Sequence, residues 1–291
     1  MPELPEVETT VRGLKKTILG FTIKDVWTDL KTKDKRKADS IANPSYFKNF
    51  RKEISGKKII SIERRAKNIL INLSPPPQKL GGASQQKTIL IHLKMTGHLL
   101  FNNRDKFVHA IFIFPNKNYL AFSDIRKFGK ITLLPTKTAH DTKHLKDIGP
   151  EPLDKNFTWQ KLKQAMQKRQ NTKIKTALMD QKLLSGIGNI YSDEILWESG
   201  VHPERKTKDV KDIEFQKMFS SMNKILKKSI SLGGDSMSDY INIFGRKGGF
   251  QNHHKAYRKT GERCSKKGCG GIIKRKIING RSAHFCSSHQ K

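Results

Sequence analysis

Met1-Pro2-Glu3-Leu4-Pro5-Glu6-Val7-Glu8-Thr9 opens the chain, and the rest of the sequence is read outward from it. Cells usually trim an initiator Met when a small residue such as Pro follows, which leaves Pro2 as a secondary amine. An α-amino group titrates near pH 7.7–8, so part of it is unprotonated at about neutral pH. A secondary amine that attacks a sugar carbon forms an iminium directly, which is covalent catalysis by nitrogen. Glu3, one residue on, can move a proton at the same centre. The same residues also read as a helix start. Pro5 suits the first turn, and Glu3, Glu6 and Glu8 sit where carboxylates favour a helix N-terminus. The two readings are compatible, because a helix over Val7–Leu14 would fix the amine.

Composition narrows the class. A chain of 291 residues has room for two domains and a real core. The formal charge of +32, from 58 Lys and Arg against 26 Asp and Glu, points to a polyanionic partner. No run of about 18 apolar residues exists to span a bilayer. No apolar signal region precedes the first helix, so the expected location is the cytoplasm.

Downstream of the opening come short runs with strand character: Phe21–Trp27, Lys58–Glu63, Asn68–Leu73, Thr88–Leu93, Phe107–Phe114, Tyr119–Ser123 and Lys130–Leu134. Gly, Pro and charged turns separate them, as in a β-sandwich or barrel. Phe107–Phe114 is apolar nearly throughout, as a strand covered on both faces would be. Ser74 to Gln86 reads as a Pro-rich exposed loop, and Lys31–Lys37 as a solvated charged one. Residues 135–154 lack periodicity and hold Pro135, Pro150 and Pro152, which marks a linker. Helical spacing then takes over: Trp159, Leu162, Ala165 and Met166 share one face, and Phe215, Phe219, Met222 and Leu226 another. A helix around Ile174–Leu184 runs into Ser185-Gly186-Ile187-Gly188, and a second starts with Asn189 as its cap. Amides at such a start suit a phosphate. The fold class is α+β: an N-terminal β-sandwich with a leading helix (1–134), a linker (135–154), a helical domain (155–254) and a separate Cys-containing tail (255–291).

The tail carries the most specific spacing. Cys264-x4-Cys269-x16-Cys286-x2-His289 offers three thiolates and an imidazole as two close pairs, a full tetrahedral set for one structural zinc. Residues 255–291 hold eleven Lys or Arg against the single Glu262, and a basic hairpin suits a DNA groove.

These blocks resemble the bacterial formamidopyrimidine-DNA glycosylases. Besides the opening nine residues, the resemblance rests on Arg64-Arg65-Ala66-Lys67, His92-Leu93-Lys94-Met95-Thr96-Gly97, Asp124-Ile125-Arg126-Lys127-Phe128-Gly129, Met179-Asp180-Gln181-Lys182 with Gly188-Asn189-Ile190-Tyr191, and the terminal hairpin. It covers the whole chain and implies a helix-two-turn-helix arrangement in the helical domain. It also implies a bifunctional glycosylase and lyase that excises oxidised purines such as 8-oxoguanine and formamidopyrimidines. In that scheme Pro2 attacks C1′ and Glu3 assists ring opening. β- and δ-elimination then cut the strand. Lys67 and Arg281, grouped with the catalytic residues, hold flanking phosphates together with His92 and Asn189. Met95, Arg126 and Phe128 fill the gap left by a flipped nucleotide. Lys175 and Tyr191 are placed at the DNA, and Glu6 and Glu194 support the site.

The implied partner is damaged double-stranded DNA, bound by a monomer in a bacterial cytoplasm at the nucleoid. Leu4, where the sister endonuclease VIII group usually has Gly, favours purine lesions. The rival readings are an endonuclease VIII-like enzyme for oxidised pyrimidines, a non-catalytic zinc-stabilised DNA-binding protein and a basic RNA-associated protein. The sequence departs from the family in the first metal spacer of four, in His289 where the family has Cys, and in the loop 235–254.

Overall fold

Leu4, Val7, Val11 and Leu14 recur at helical spacing, and all four are buried in α1 (Leu4–Thr17). The structure, a computed structural model, describes residues 1–75 and 86–291. The chain divides into two compact units: Met1–Lys146 with Gly233–Gly248, and Asp147–Leu232 with Gly249–Lys291.

In the first unit α1 is followed by β1 (Asp25–Thr28), α2 (Pro44–Ile54), β2 (Ile59–Arg65), β3 (Asn68–Leu73), β4 (Lys87–His92), β5 (His98–Phe101), β6 (Val108–Ile113), β7 (Tyr119–Ser123) and β8 (Lys130–Pro135). They form two antiparallel sheets, ordered β1-β6-β7-β5 and β2-β3-β4-β8. One core joins Val7, Val11 and Leu14 of α1 with Phe112 and Phe122 of the first sheet and Ile62, Ile71 and Ile91 of the second. Each such side chain contributes about 1.5–3 kcal/mol by leaving water. This is the expected sandwich with a leading helix.

Five details of the first unit differ from the sequence reading, one being β5 itself, which falls outside the seven runs read as strands. The first strand begins at Asp25 rather than Phe21. α2 was not foreseen, although Asn43 caps it through Tyr46 N and Pro44 opens it. β6 is not covered on both faces, since Ile113 is 37% exposed. The segment Gly233–Gly248 belongs to the first unit rather than to the helical region read over 155–254. Its anchor is Ile243, buried in the sandwich core, whose carbonyl accepts from Phe101 N. Of the Pro-rich loop read at 74–86, residues 76–85 lie outside the described residues.

The second unit holds α3 (Trp159–Gln167), α4 (Ile174–Met179), α5 (Asn189–Ser199), α6 (Asp212–Ser231) and a hairpin of β9 (Lys274–Ile278) and β10 (Arg281–Phe285). Asn279 and Gly280 turn the hairpin with φ of 46° and 73°, the two positive values that a two-residue turn of the primed type requires. α4 stops at Met179, five residues short of the helix read to Leu184. The cap of α5 is Gly188, not Asn189, which is the first helical residue. α5 is buried nearly all round, from Ile190 to Trp197, so it is the spine of its unit.

Candidate active site and metal centre

Pro2 is buried at the mouth of α1, and Glu3 and Glu6 are 2% and 1% exposed. Glu6 organises this end. Its Oε2 accepts from Glu3 N at 2.7 Å, and its Oε1 from Asp235 N at 2.8 Å. The Tyr240 hydroxyl donates to the Glu6 carbonyl at 3.1 Å. Gly234, with φ of 88°, brings the returning loop against this carboxylate: a Cβ there would lie 3.1 Å from Glu6 Oε1. Terminal residues ordinarily fray. Here a buried carboxylate with an amide on each oxygen holds them.

The β2–β3 hairpin turns through Ala66, at φ of 56°, and Lys67, which is 6% exposed. Nearby, at the end of β4, His92 Nδ1 accepts from Lys94 N at 3.0 Å. Burial pushes the His92 pKa down to about 3, and the charges of Lys94 and Lys67 act the same way. His92 is therefore neutral at physiological pH and carries its proton on Nε2, a donor suited to a phosphate oxygen.

The predicted wedge residues come together. Met95 is 42% exposed, Phe128 is 47% exposed, and Arg126 lies in the open between them. The Arg126 guanidinium lies 4.6 Å from the centre of the Phe128 ring, and its Nη1 reaches Met95 Sδ at 3.1 Å. They stand on two loops, Leu93–Gly97 and Asp124–Gly129, which the fully buried Asp124 staples together. Its Oδ1 accepts from the Thr96 hydroxyl and from Arg126 N, and its Oδ2 from Gly129 N at 2.7 Å. The glycines are sterically required: a Cβ at Gly97 would lie 2.4 Å from Leu93 O, and one at Gly129 would lie 2.3 Å from the Phe122 ring. Asp124 was quoted in the motif without a role. A carboxylate flanking an exposed Arg-x-Phe was the available signal.

In the second unit Asn189 opens α5, and its Oδ1 is buried without a hydrogen-bond partner in the structure. Arg281 begins β10 and is exposed. Two expectations need correction. Lys175 is 1% exposed, with its ammonium on Asp193 Oδ1 at 2.5 Å, so it is spent on a buried ion pair rather than offered to DNA. Tyr191 is fully buried, packs on Phe250 and bonds Ser229 Oγ at 2.6 Å, so its side chain is core rather than DNA-facing. Glu194 is buried on α5. It accepts from the amides of Lys255, Ala256 and Tyr257 at 2.9, 3.0 and 2.8 Å, which fastens the approach to the tail onto α5. Burial pushes its pKa up, against the pull of those amides. Asp193, not foreseen, also accepts from His284 N and Nδ1, gripping β10.

Cys264, Cys269, Cys286 and His289 converge as a four-ligand metal site whose donor atoms all lie within 4.8 Å of one another. Cys269 and Cys286 Sγ are 3.7 Å apart, and Cys264 Sγ and His289 Nδ1 3.4 Å. Zn–S bonds of about 2.3 Å in a tetrahedron give edges of about 3.8 Å, so the set fits. Gly271 permits the approach, since a Cβ there would meet Cys286 Sγ at 2.5 Å.

Exposed Met95, Arg126 and Phe128 and a fixed Pro-Glu terminus stand in one unit, and a basic hairpin beside a four-ligand Cys and His cluster stands in the other; this is the residue set of a DNA glycosylase. Two family models match the chain: the formamidopyrimidine-DNA glycosylase N-terminal domain over residues 1–131 and its H2TH domain over 148–240. The chain belongs to the formamidopyrimidine-DNA glycosylase family. The formamidopyrimidine-DNA glycosylase of Desulforamulus reducens is 36% identical over all of this chain and 99% of that protein. That of Carboxydothermus hydrogenoformans is 37% identical over the whole of both. Among solved structures, a Lactococcus lactis enzyme variant in complex with Fapy-dG containing DNA has a TM-score of 0.84 and 33% identity, with both chains fully covered. The Lactococcus lactis enzyme with abasic-site DNA has a TM-score of 0.84 and 32% identity over 99% of each chain. Among the described residues, no helix is long and apolar enough to cross a membrane.

Proposed function

We propose that this chain excises oxidised purines from double-stranded DNA and then cuts the strand, with Pro2 as the nucleophile once Met1 is removed. The observation that carries the reading is the burial of Pro2 and Glu3 against a carboxylate that fixes the start of α1. The Pro2 nitrogen attacks C1′ of the damaged nucleotide. The bond to the base breaks, and the base leaves with the proton that the attacking amine gives up. Glu3 gives a proton to the ring oxygen as the sugar opens and the iminium forms. The iminium makes the C2′ proton acidic, so the 3′ phosphate is eliminated first and the 5′ phosphate second.

His92, Lys67, Asn189 and Arg281 hold phosphates by charge and by N–H donation. Met95 and Phe128 occupy the vacated stack, and Arg126 hydrogen-bonds the orphaned base. The metal is zinc. With four protein ligands it has no open position, so it holds the hairpin rather than taking part in the reaction. The protein works as a monomer in the bacterial cytoplasm, on DNA.

Excision compared on duplexes carrying 8-oxoguanine opposite C and thymine glycol opposite A tests the lesion class. Faster release of 8-oxoguanine is expected. A strong preference for thymine glycol overturns the purine assignment.

A further inference from the structure

The Cys3His cluster leans on one residue that no motif singles out. Trp197, in the last turn of α5, is 3% exposed. Its backbone carbonyl accepts from His289 Nε2 at 3.0 Å. A neutral imidazole has one N–H, so a proton on Nε2 leaves the Nδ1 lone pair free. That Nδ1 is the atom 3.4 Å from Cys264 Sγ. The spacing agrees: two residues separate Cys286 from His289, and Nδ1 is the ring nitrogen nearer the backbone. The short loop is also tied down, with Gln290 Oε1 accepting from Cys286 N and Gln290 Nε2 donating to Val201 O.

The side chain of Trp197 faces the same centre. It packs with Cys264 and Cys286 in a small core, and its ring lies edge-on to that of His289, 5.3 Å between centroids. Its indole Nε1 is buried without a hydrogen-bond partner in the structure. A buried donor left unpaired costs about 1–3 kcal/mol. Cys264 lies in the same small core as this indole, and a metal-bound thiolate is an acceptor that would remove the cost. Groups of this kind around a metal set which ring nitrogen ligates and how tightly the ion is held.

We propose that Trp197 is the outer partner of the metal centre: its carbonyl fixes His289 in the tautomer that ligates through Nδ1, and its indole N–H bonds the Cys264 thiolate. The metal-loaded hairpin is thereby fastened to the same helix that presents Asn189 at its other end. This rests on the metal reading of the cluster, and the experiment separates the two.

The zinc-loaded protein, labelled with 15N-histidine, is examined by long-range 1H–15N correlation. The expected result is a metal-bound Nδ1 and a protonated Nε2 on His289. Trp197→Phe keeps an aromatic side chain and the carbonyl but removes the N–H. In competition with a chromophoric chelator, it should hold zinc about ten- to a hundredfold more weakly. Ligation through Nε2, or wild-type affinity in Trp197→Phe, overturns the proposal while leaving the metal site standing. If Trp197→Phe does not fold, the wild-type spectrum still decides the tautomer. A wild-type protein that binds no metal sinks the metal reading itself.

Discussion

Glu6 shows how much one side chain can organise, because one oxygen serves the amide of Glu3 and the other that of Asp235, 229 positions beyond Glu6. Glu6→Gln keeps the size but replaces one acceptor with an N–H donor, leaving a buried amide unpaired at a cost of about 1–3 kcal/mol. A lower urea midpoint at unchanged slope is expected, with slower attack by Pro2. An unchanged midpoint would show that the carboxylate does not hold the terminus. His92 makes a pH prediction. Its folded pKa, about 3, lies below its ordinary 6.5, so between those values the unfolded chain takes up a proton that the native state refuses. Stability attributable to this group is therefore lost as pH falls from 6.5 towards 3. His92→Gln should flatten the fall in urea midpoint between pH 7 and pH 4. Equal falls in variant and wild type would contradict the assignment. For Lys175, replacement by Met leaves Asp193 buried without its cation and should cost about 3–5 kcal/mol. The salt dependence of DNA binding should stay as it was, because the buried ammonium is committed to Asp193. A shallower salt slope would restore Lys175 to the DNA interface.

At the scale of elements, the wedge depends on two loops sharing Asp124. Asp124→Asn turns an amide N–H towards either Thr96 or Gly129, both of which already donate, so the loops should separate. Excision of 8-oxoguanine should fall about ten- to a hundredfold, corresponding to 1.4–2.7 kcal/mol. Strand cleavage at a preformed abasic site, which asks less of base flipping, should fall less. Equal losses on both substrates would mean that Asp124 supports the fold alone. That Met95, Arg126 and Phe128 belong together was legible only through the family resemblance, since an apolar Met and Phe beside strands otherwise read as core, whereas the staple was not legible, since a buried carboxylate is known only by what it touches. α5 gives the same lesson twice. The Gly188-Asn189 start was visible, but which of the two caps the helix depends on backbone angles. Lys175 was placed at the DNA by resemblance, and its ion pair was not visible because the partner Asp193 lies 18 positions away and one helix further on.

Over the whole molecule, the charge of +32 pointed to a polyanionic partner, and the paired Cys and His spacings picked out the four residues that the fold brings together as a candidate metal site. The division of the chain was less legible. Residues 233–248 follow a helix in sequence but fold with the sandwich, because Ile243 finds its apolar surroundings there. Cys286→Ser removes one of four ligands and should release the metal and abolish DNA binding, while the sandwich keeps its cooperative unfolding. Retention of both metal and binding would refute the hairpin's role. With six phosphate contacts, the logarithm of affinity should fall with that of salt at a slope of about −5. The account's central claim is that a chain terminus, not an internal lysine, is the nucleophile. Borohydride reduction on lesion-bearing duplex DNA, followed by peptide mass spectrometry, reads this directly. The account predicts the sugar remnant on Pro2 of the Met-free chain; a remnant on any lysine, or no adduct from processed protein, would contradict it.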